Sequence, residues 1–194
     1  MNKSNLTIAV LSGKGGTGKT LVSVNLAAST KAAVYLDCDV EEPNGHLFFK
    51  PEAPSRAAVT LMMPVIDAGK CMGCRACVQF CRFGALAFVG GQPLLAKTVC
   101  HSCGGCAYLC PVGAIGEAPR AIGEIERGRT GEIDIKTGIL NLGEASGVPI
   151  IRELLEGIGP EEDAFIDCPP GTACAAMECV RAADVCVLVA EPTI

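Results

Sequence analysis

At 194 residues the chain is long enough for one sizeable domain or for a domain with a small insert, and with 4% aromatic residues its core must be built from Ala, Val, Ile and Leu. A net charge of −5 without a long run of Lys or Arg gives no reason to expect nucleic acid as a partner. No apolar run reaches the ~18 residues that span a bilayer, and the apolar start is too short for a secretion signal, so we expect a cytoplasmic protein without a membrane span.

The first predicted elements are a buried strand at residues 6–11, a glycine-rich loop and a helix at residues 21–28. The loop satisfies the phosphate-loop pattern G-x-x-x-x-G-K-[ST], whose glycines aim backbone N–H groups at phosphate oxygens. In this pattern Lys19 neutralises the outer phosphates of ATP and the Thr20 hydroxyl ligates Mg²⁺. The alternative is a glycine-rich turn without a ligand. The predicted nucleotide-binding residues are Gly13, Gly15, Gly16, Thr17, Gly18, Lys19 and Thr20.

Lys14 follows the first glycine of the loop, where a generic phosphate loop has no fixed residue. Residues 14–20, KGGTGKT, resemble the deviant phosphate loop of the MinD, ParA, Mrp and nitrogenase-iron-protein ATPases. The resemblance implies a doubly wound, mostly parallel α/β sheet, ATP hydrolysis and a homodimer. In that dimer Lys14 would reach the nucleotide of the other subunit and stabilise charge on the transferring phosphoryl group. The alternative is a solvated loop lysine.

The next predicted strand, residues 32–39, ends in two acids, Asp37 and Asp39. Carboxylates at the carboxyl end of a strand face the crevice where nucleotides bind in open α/β sheets. The Asp-x-Asp pair is similar to the second signature of the ATPase family. The resemblance implies that Asp39 orients the attacking water and that Asp37 belongs to the outer Mg²⁺ shell. The alternative is a strand-end turn with solvated acids.

Thirteen cysteines are too many for an ordinary cytosolic core, so a disulfide framework or bound metal must explain them. The pattern C-x-x-C-x-x-C-x-x-x-C spans residues 71–81 and returns at residues 100–110, an offset of 29 residues (100 − 71). Such a duplicated spacing favours metal over disulfides. Zinc is an alternative occupant, because paired C-x-x-C motifs also suit Zn²⁺.

The duplicated run, closed by Cys110-Pro111, resembles the bacterial ferredoxin with two [4Fe–4S] clusters. In that family the fourth cysteine of each run crosses to the other cluster. Arg82 departs from the family, which usually has a proline there. We expect an α+β, ferredoxin-like insert that conducts electrons and is unfolded without iron. The implied ligands are Cys71, Cys74, Cys77 and Cys110 for the first cluster, and Cys100, Cys103, Cys106 and Cys81 for the second.

After the insert, residues 123–129 and 131–136 alternate polar and apolar side chains, which predicts a hairpin or short edge strands. Residues 149–156 predict a helix. The strand predicted at residues 164–167 ends in Asp167 and is followed by Pro-Pro-Gly-Thr, similar to the third signature of the ATPase family. The resemblance implies that Asp167 binds a Mg²⁺-bound water, and the alternative is a plain proline turn.

The last predicted element is a buried strand at residues 185–190. Family members continue beyond this strand, so the resemblance predicts a C-terminally truncated domain. Most of the five cysteines outside the runs are expected to be small buried residues. For Cys38 and Cys168, which flank the predicted Mg²⁺ acids, the alternative to a buried packing role is a redox or metal-binding role. The five are Cys38, Cys168, Cys174, Cys179 and Cys186.

The predicted domains are the first half of the ATPase at residues 1–63, the insert at 64–116, and an incomplete second half at 117–194. The function that fits all motifs is an ATPase whose nucleotide state gates electron transfer through two clusters to an unidentified redox partner. The alternatives are an iron–sulfur cluster carrier of the Mrp type, with an iron–sulfur partner protein, and a positioning ATPase of the MinD/ParA type.

Overall fold

The computed structural model describes residues 5–159 and 162–192. The strands are β1 Thr7–Leu11, β2 Ala33–Asp37, β3 Glu52–Ile66, β4 Leu86–Val89, β5 Gln92–Leu95, β6 Ile115–Thr130, β7 Ile133–Leu140, β8 Asp163–Asp167 and β9 Val185–Leu188. The helices are α1 Lys19–Ala28, α2 Gly45–Phe49, α3 Ala76–Phe80, α4 Gly105–Tyr108, α5 Val148–Glu156 and α6 Cys174–Ala182, with a 3₁₀ turn at Lys97–Val99.

Seven strands form one sheet in the order β3-β6-β7-β2-β8-β1-β9. Five neighbouring strands, from β7 to β9 in that order, run parallel, whereas β6 pairs antiparallel with β7. Parallel neighbours require crossover connections, which the intervening helices supply. The predicted mostly parallel α/β sheet is therefore confirmed. Its carboxyl-terminal edge gathers the ends of β1, β2 and β8.

The centre of the sheet is buried on both faces. All five residues of β2 are buried, as expected for an interior parallel strand with an unbroken apolar run. On one face, Val24 and Ala27 of α1 pack with Tyr35 and Phe165 in a common core cluster. This packing fixes α1, and the loop before it, against the strands that carry the acids.

The hairpin predicted at residues 123–129 and 131–136 is confirmed as the antiparallel pair of β6 and β7. The alternative of short edge strands is wrong, because β7 lies inside the sheet between β6 and β2. A second strand prediction needs correction. The strand predicted as buried at residues 185–190 forms as β9 at the edge of the sheet, where Leu188 is 72% exposed. An apolar run does not distinguish an edge strand from an interior one, because that depends on which strands pair on each side.

The described chain divides into two compact units. The first contains the described residues up to Val59, then Gly123–Leu140, and the described residues from Gly147 onward. The second contains Thr60–Ile122 and Asn141–Ser146, and therefore both cysteine runs. Its small core includes Cys77 and Cys106 beside Leu86 and Ile115. Within the described residues, no helix is long and apolar enough to cross a membrane.

Candidate nucleotide site and cysteine cavities

The glycine loop connects β1 to α1 through backbone conformations that favour glycine. Gly16 and Gly18 have φ values of 80° and 86°, in the left-handed region where a side chain is strained. Gly18 immediately precedes the first turn of α1, whose N–H groups have no partner within the helix. The loop therefore presents backbone donors at the carboxyl edge of the sheet, where a phosphate would be bound.

The loop is also tied to the segment that follows β8. The Ser12 hydroxyl donates to the carbonyl oxygen of Lys14 at 2.9 Å. The N–H of Gly171, in the Pro-Pro-Gly-Thr segment, donates to the carbonyl oxygen of Ser12 at 2.9 Å, and Cys168 N–H donates to Val10 O at 3.1 Å. The first and third predicted signatures are thus joined through the backbone.

Lys19 brings the three signatures together. Its side chain is 6% exposed, and its Nζ lies 2.5 Å from Oδ1 of Asp167 and 3.8 Å from Oδ2 of Asp39. An ammonium buried at this depth requires anionic partners, because burial of an unpaired charge is strongly unfavourable. The lysine of the loop is therefore the counterion of these acids.

Asp37 and Asp167 end two adjacent strands in register, and both carboxylates are fully buried. Burial, together with the neighbouring charge of Asp167, raises the pKa of Asp37 to about 7, although the N–H of Gly45, which donates to Oδ2 at 2.8 Å, opposes the shift. Burial also raises the pKa of Asp39 to about 6, against the influence of Lys19. The site therefore holds more acids than one lysine neutralises.

Two residues without a predicted role, Tyr35 and Gly45, support these acids. The Tyr35 hydroxyl donates to Oδ2 of Asp167 at 3.1 Å, and burial raises the pKa of Tyr35 so that the phenol keeps its proton. Gly45 opens α2 and holds Asp37. Strand alternation could have indicated Tyr35, because it lies two residues before Asp37 and so on the same face. Nothing in the local sequence indicates Gly45.

Three predicted loop residues lie outside the Lys19 ion-pair cluster. The Lys14 ammonium pairs with Glu191 at 3.1 Å, and both side chains are about half exposed. Thr20 is partly buried in the first turn of α1. The Thr17 hydroxyl is buried and has no hydrogen-bond partner among the described residues.

The oxygen donors at this edge match the chemistry of a Mg²⁺ site, since Mg²⁺ prefers carboxylates, hydroxyls and phosphates. The residues that could hold it are Thr20, Asp37, Asp39 and Asp167, and Lys19 already places a positive charge beside two of the carboxylates. Among the described residues, no group of three or more His, Cys, Asp or Glu side chains stands in an arrangement for binding a single metal ion.

The two cysteine runs line two cavities in the second unit. Each cavity is lined by the first three cysteines of one run and by the last cysteine of the other run. The first cavity contains Cys71, Cys74, Cys77 and Cys110, with Arg75 and Pro111 beside them. The second contains Cys100, Cys103, Cys106 and Cys81, with Phe80, Phe83 and His101 beside them.

The backbone repeats with the same period as the cysteines. Three pairs of residues with left-handed conformation are separated by 29 residues, the offset of the two runs: 73 and 102, 75 and 104, and 84 and 113. In each repeat the third cysteine lies in a short helix, Cys77 in α3 and Cys106 in α4. The duplication is therefore present in the backbone conformation as well as in the sequence, and it produces two similar cavities.

The remaining cysteines fall into two groups. Cys38, Cys168 and Cys179 are fully buried near one another, whereas Cys174 and Cys186 are exposed. The hydrogen bond with Cys179, together with burial, raises the pKa of Cys168. A buried thiol that keeps its proton is a poor nucleophile and a poor metal ligand, so these three side chains act in packing.

A phosphate loop at the carboxyl edge of a mostly parallel sheet, with its lysine among acids from neighbouring strands, defines a P-loop nucleotide-binding domain. Residues 8–176 match the family described as the CobQ/CobB/MinD/ParA nucleotide binding domain. The match covers most of the chain, which therefore belongs to this family. Proteins with this domain typically hydrolyse nucleotide.

The chain is also similar to individual proteins of Methanocaldococcus jannaschii and Methanococcus maripaludis. It is 32% identical over 193 residues to an uncharacterized protein of Methanocaldococcus jannaschii, covering 97% of this chain and 68% of that protein. A second uncharacterized protein of that organism is 30% identical over 195 residues, covering 97% and 70%. An iron-sulfur cluster carrier protein of Methanococcus maripaludis is 50% identical over 71 residues, covering 34% of this chain and 22% of that protein.

Proposed function

We propose that this protein is a cytoplasmic ATPase that carries two [4Fe–4S] clusters in an inserted ferredoxin-like domain, and that its nucleotide state gates electron transfer through them. The family to which the chain belongs supports the nucleotide half of the proposal. The observation that carries the other half is the lining of two cavities by four cysteines each.

The donor set of each cavity fits a cubane cluster. Thiolates are the usual protein ligands of [4Fe–4S] clusters, and the exchange of the fourth cysteine between runs is typical of two-cluster ferredoxins. Cys71, Cys74, Cys77 and Cys110 would hold one cluster, and Cys100, Cys103, Cys106 and Cys81 the other. Such clusters accept and donate single electrons. Because Cys77 and Cys106 belong to the small core, bound metal would also stabilise the fold of this unit.

In the nucleotide site, the backbone of residues 13–20 would bind the ATP phosphates and Lys19 would exchange its carboxylate partners for phosphate oxygens. Thr20, Asp37 and Asp167 would hold Mg²⁺, which supplies positive charge to the phosphates when bound. Asp39, with a carboxyl group near Lys19 at the same edge, would orient the attacking water. In a homodimer, Lys14 would stabilise the phosphoryl group on the nucleotide of the other chain.

Gating would arise in the segments that follow β2 and β8. Both begin at site acids, and the second is hydrogen-bonded through Gly171 to the start of the glycine loop. Order imposed by a γ-phosphate and released on hydrolysis is a common switching device in nucleotide-binding proteins. The cysteine runs lie between Asp39 and Asp167 in the chain, so motion of these segments could reach the clusters and a redox partner protein.

The test uses protein reconstituted with iron and sulfide under anaerobic conditions. We expect about eight iron and eight sulfide ions per chain, the content of two [4Fe–4S] clusters, and no zinc. The reduction potentials and the rate of electron transfer to an artificial acceptor are then measured with a non-hydrolysable ATP analogue and with ADP. Equal potentials and equal rates in the two states would refute gating, and zinc in place of iron would refute the clusters.

A second function, delivery of an iron–sulfur cluster to other proteins, is favoured by the similarity to the iron-sulfur cluster carrier protein of M. maripaludis. Delivery predicts that labelled iron moves from the loaded protein to an apo-acceptor, with ATP altering the rate. Electron transfer predicts that the clusters stay bound through many oxidation and reduction cycles. Measuring iron retention and acceptor loading in one experiment separates these functions.

A further inference from the structure

Thr137 lies in the row of acids at the carboxyl edge of the sheet, on the side of Asp37 that faces away from Asp167. Asp37 pairs in register with Thr137 of β7 and with Asp167 of β8. The three residues therefore form one row across adjacent parallel strands. Tyr35 and Ile135, two residues earlier on their strands, belong to the same core cluster, so alternation places Asp37 and Thr137 on that same face.

The hydroxyl of Thr137 is buried without a hydrogen-bond partner in the part of the chain that the structure describes. Thr137 is 2% exposed, and its Oγ1 has no hydrogen-bond partner among the described residues. A buried hydroxyl without a partner disfavours folding, whereas a valine of the same shape would carry no such cost. An unpaired hydroxyl beside a functional carboxylate suggests a partner that arrives in another state of the site.

Asp37 is the group that can change partners. In this structure its Oδ2 accepts the N–H of Gly45 at 2.8 Å and its Oδ1 accepts the N–H of Asp39 at 3.3 Å. Both donors belong to the segment that follows β2, where γ-phosphate binding is expected to cause rearrangement. A movement of that segment would leave the buried carboxylate short of donors unless another donor lies within reach.

We infer that Thr137 is a positioning residue for Asp37: its hydroxyl donates to the Asp37 carboxylate when the site holds Mg²⁺ and nucleotide, and so keeps that carboxylate oriented toward the metal. This inference rests on the proposed function. It assigns the hairpin strand β7, which carries none of the three nucleotide signatures, a part in the nucleotide site. It also gives the buried hydroxyl of Thr137 a function in the row that it forms with Asp37 and Asp167.

The test compares the wild type with T137V, T137S and T130V by titration calorimetry with a non-hydrolysable ATP analogue, in excess Mg²⁺ and in EDTA. In EDTA we expect T137V to bind the analogue as tightly as the wild type. In excess Mg²⁺ we expect the increase in affinity to be about tenfold smaller in T137V than in the wild type. A tenfold change is the effect of one hydrogen bond to a charged group. T137S keeps a hydroxyl and should retain the gain. Thr130 lies in the same hairpin as Thr137, and its hydroxyl donates to the carbonyl oxygen of Phe49. T130V is therefore the matched control and should also retain the Mg²⁺-dependent gain in affinity.

Thermal unfolding of ligand-free T137V provides the second readout. We expect a melting temperature equal to or above that of the wild type, because no hydrogen bond is removed. A clear loss of stability without ligand would mean a structural role and would overturn the inference. So would an undiminished Mg²⁺ gain in T137V. If the wild type itself shows no Mg²⁺ gain, the proposed nucleotide site fails, and the inference fails with it.

Discussion

The ammonium of Lys19 lies 2.5 Å from Oδ1 of Asp167, a residue 148 positions later in the chain. The lysine that a phosphate loop offers to nucleotide is therefore paired with an acid of the same site. Both side chains are buried, so each depends on the other for charge compensation. The stability of the fold and the binding of nucleotide therefore both depend on the ion pair of Lys19 and Asp167.

Replacing Lys19 should destabilise the ligand-free protein. In K19M, Asp167 and Asp37 remain buried beside each other without their cation, and the expected loss is about 3 kcal/mol in the free energy of unfolding. Urea denaturation at neutral pH measures this loss. The double variant K19M/D167N, which also removes the uncompensated charge, should regain much of the stability while still failing to bind an ATP analogue. A K19M protein as stable as the wild type would contradict this account.

The stability of the ligand-free protein should depend on the ionisation of Asp37. Its pKa rises from an ordinary 3.8 to about 7 on folding, so the folded state binds the proton more tightly. The contribution of this carboxyl group is therefore greatest below pH 4 and is lost as pH rises through 7, with a total on the order of 4 kcal/mol. D37N should be more stable than the wild type at pH 8, and the difference should shrink toward pH 5.

This pH dependence is measured in EDTA, as the difference between variant and wild type at each pH, so that other carboxyl groups cancel. D134N is the control, because Asp134 is a partly exposed carboxylate on β7 that pairs with Arg129. The D134N difference should not follow the D37N curve. A D37N difference that is constant from pH 5 to pH 8 would show that Asp37 titrates normally.

Lys14 should matter for hydrolysis and little for folding. Its ion pair with Glu191 is half exposed, so K14A should change the free energy of unfolding by less than about 0.5 kcal/mol. The ATPase rate should fall by about a thousandfold, as for other charged residues supplied in trans to a phosphoryl group.

Mixing two inactive variants tests whether Lys14 acts across a dimer. In a mixed dimer, a K19M chain keeps its Lys14 and can complete the intact nucleotide site of a K14A chain. Half of the dimers would then hold one working site of two, so activity should return to about a quarter of the wild-type rate. E191Q, which removes the Lys14–Glu191 ion pair, should keep its activity. No recovery on mixing would contradict action in trans.

The crossed assignment of cysteines predicts an asymmetry in iron content. The variant C71S/C74S/C77S should retain about four iron atoms per chain, those of the second cavity. Adding C110S should remove no more iron, because Cys110 lines the first cavity, whereas adding C81S should reduce the iron of the second. C174S, at an exposed cysteine outside the runs, is the control. Equal effects of C110S and C81S would rule out the crossed arrangement.

Local motifs made much of the fold predictable. The phosphate loop carries its own context, a strand before it and a helix after it, so the α/β class and the family follow from a few residues such as Lys14 and Lys19. The cysteine spacing likewise predicts a paired set of thiol sites from sequence alone, and their cluster content stays a prediction. In both cases the residues that carry the predicted chemistry lie close together in the sequence.

The features that the sequence did not reveal depend on partners distant in the chain. The exposure of β9 follows from its place at the end of the strand order, and the position of β7 follows from its pairing with β2. Gly45 and Thr137 become functional candidates because tertiary pairing brings them to Asp37. No periodicity or motif carries such register information.

The exchange of cysteines between the two cavities has a consequence for how this segment can be changed. Deleting residues 71–81 would remove three lining cysteines from the first cavity and also Cys81 from the second. Deleting residues 100–110 would damage both cavities in the same way. Neither repeat can therefore be excised to leave a complete single-cavity version, and a graft into another scaffold must carry residues 71–110 as one piece.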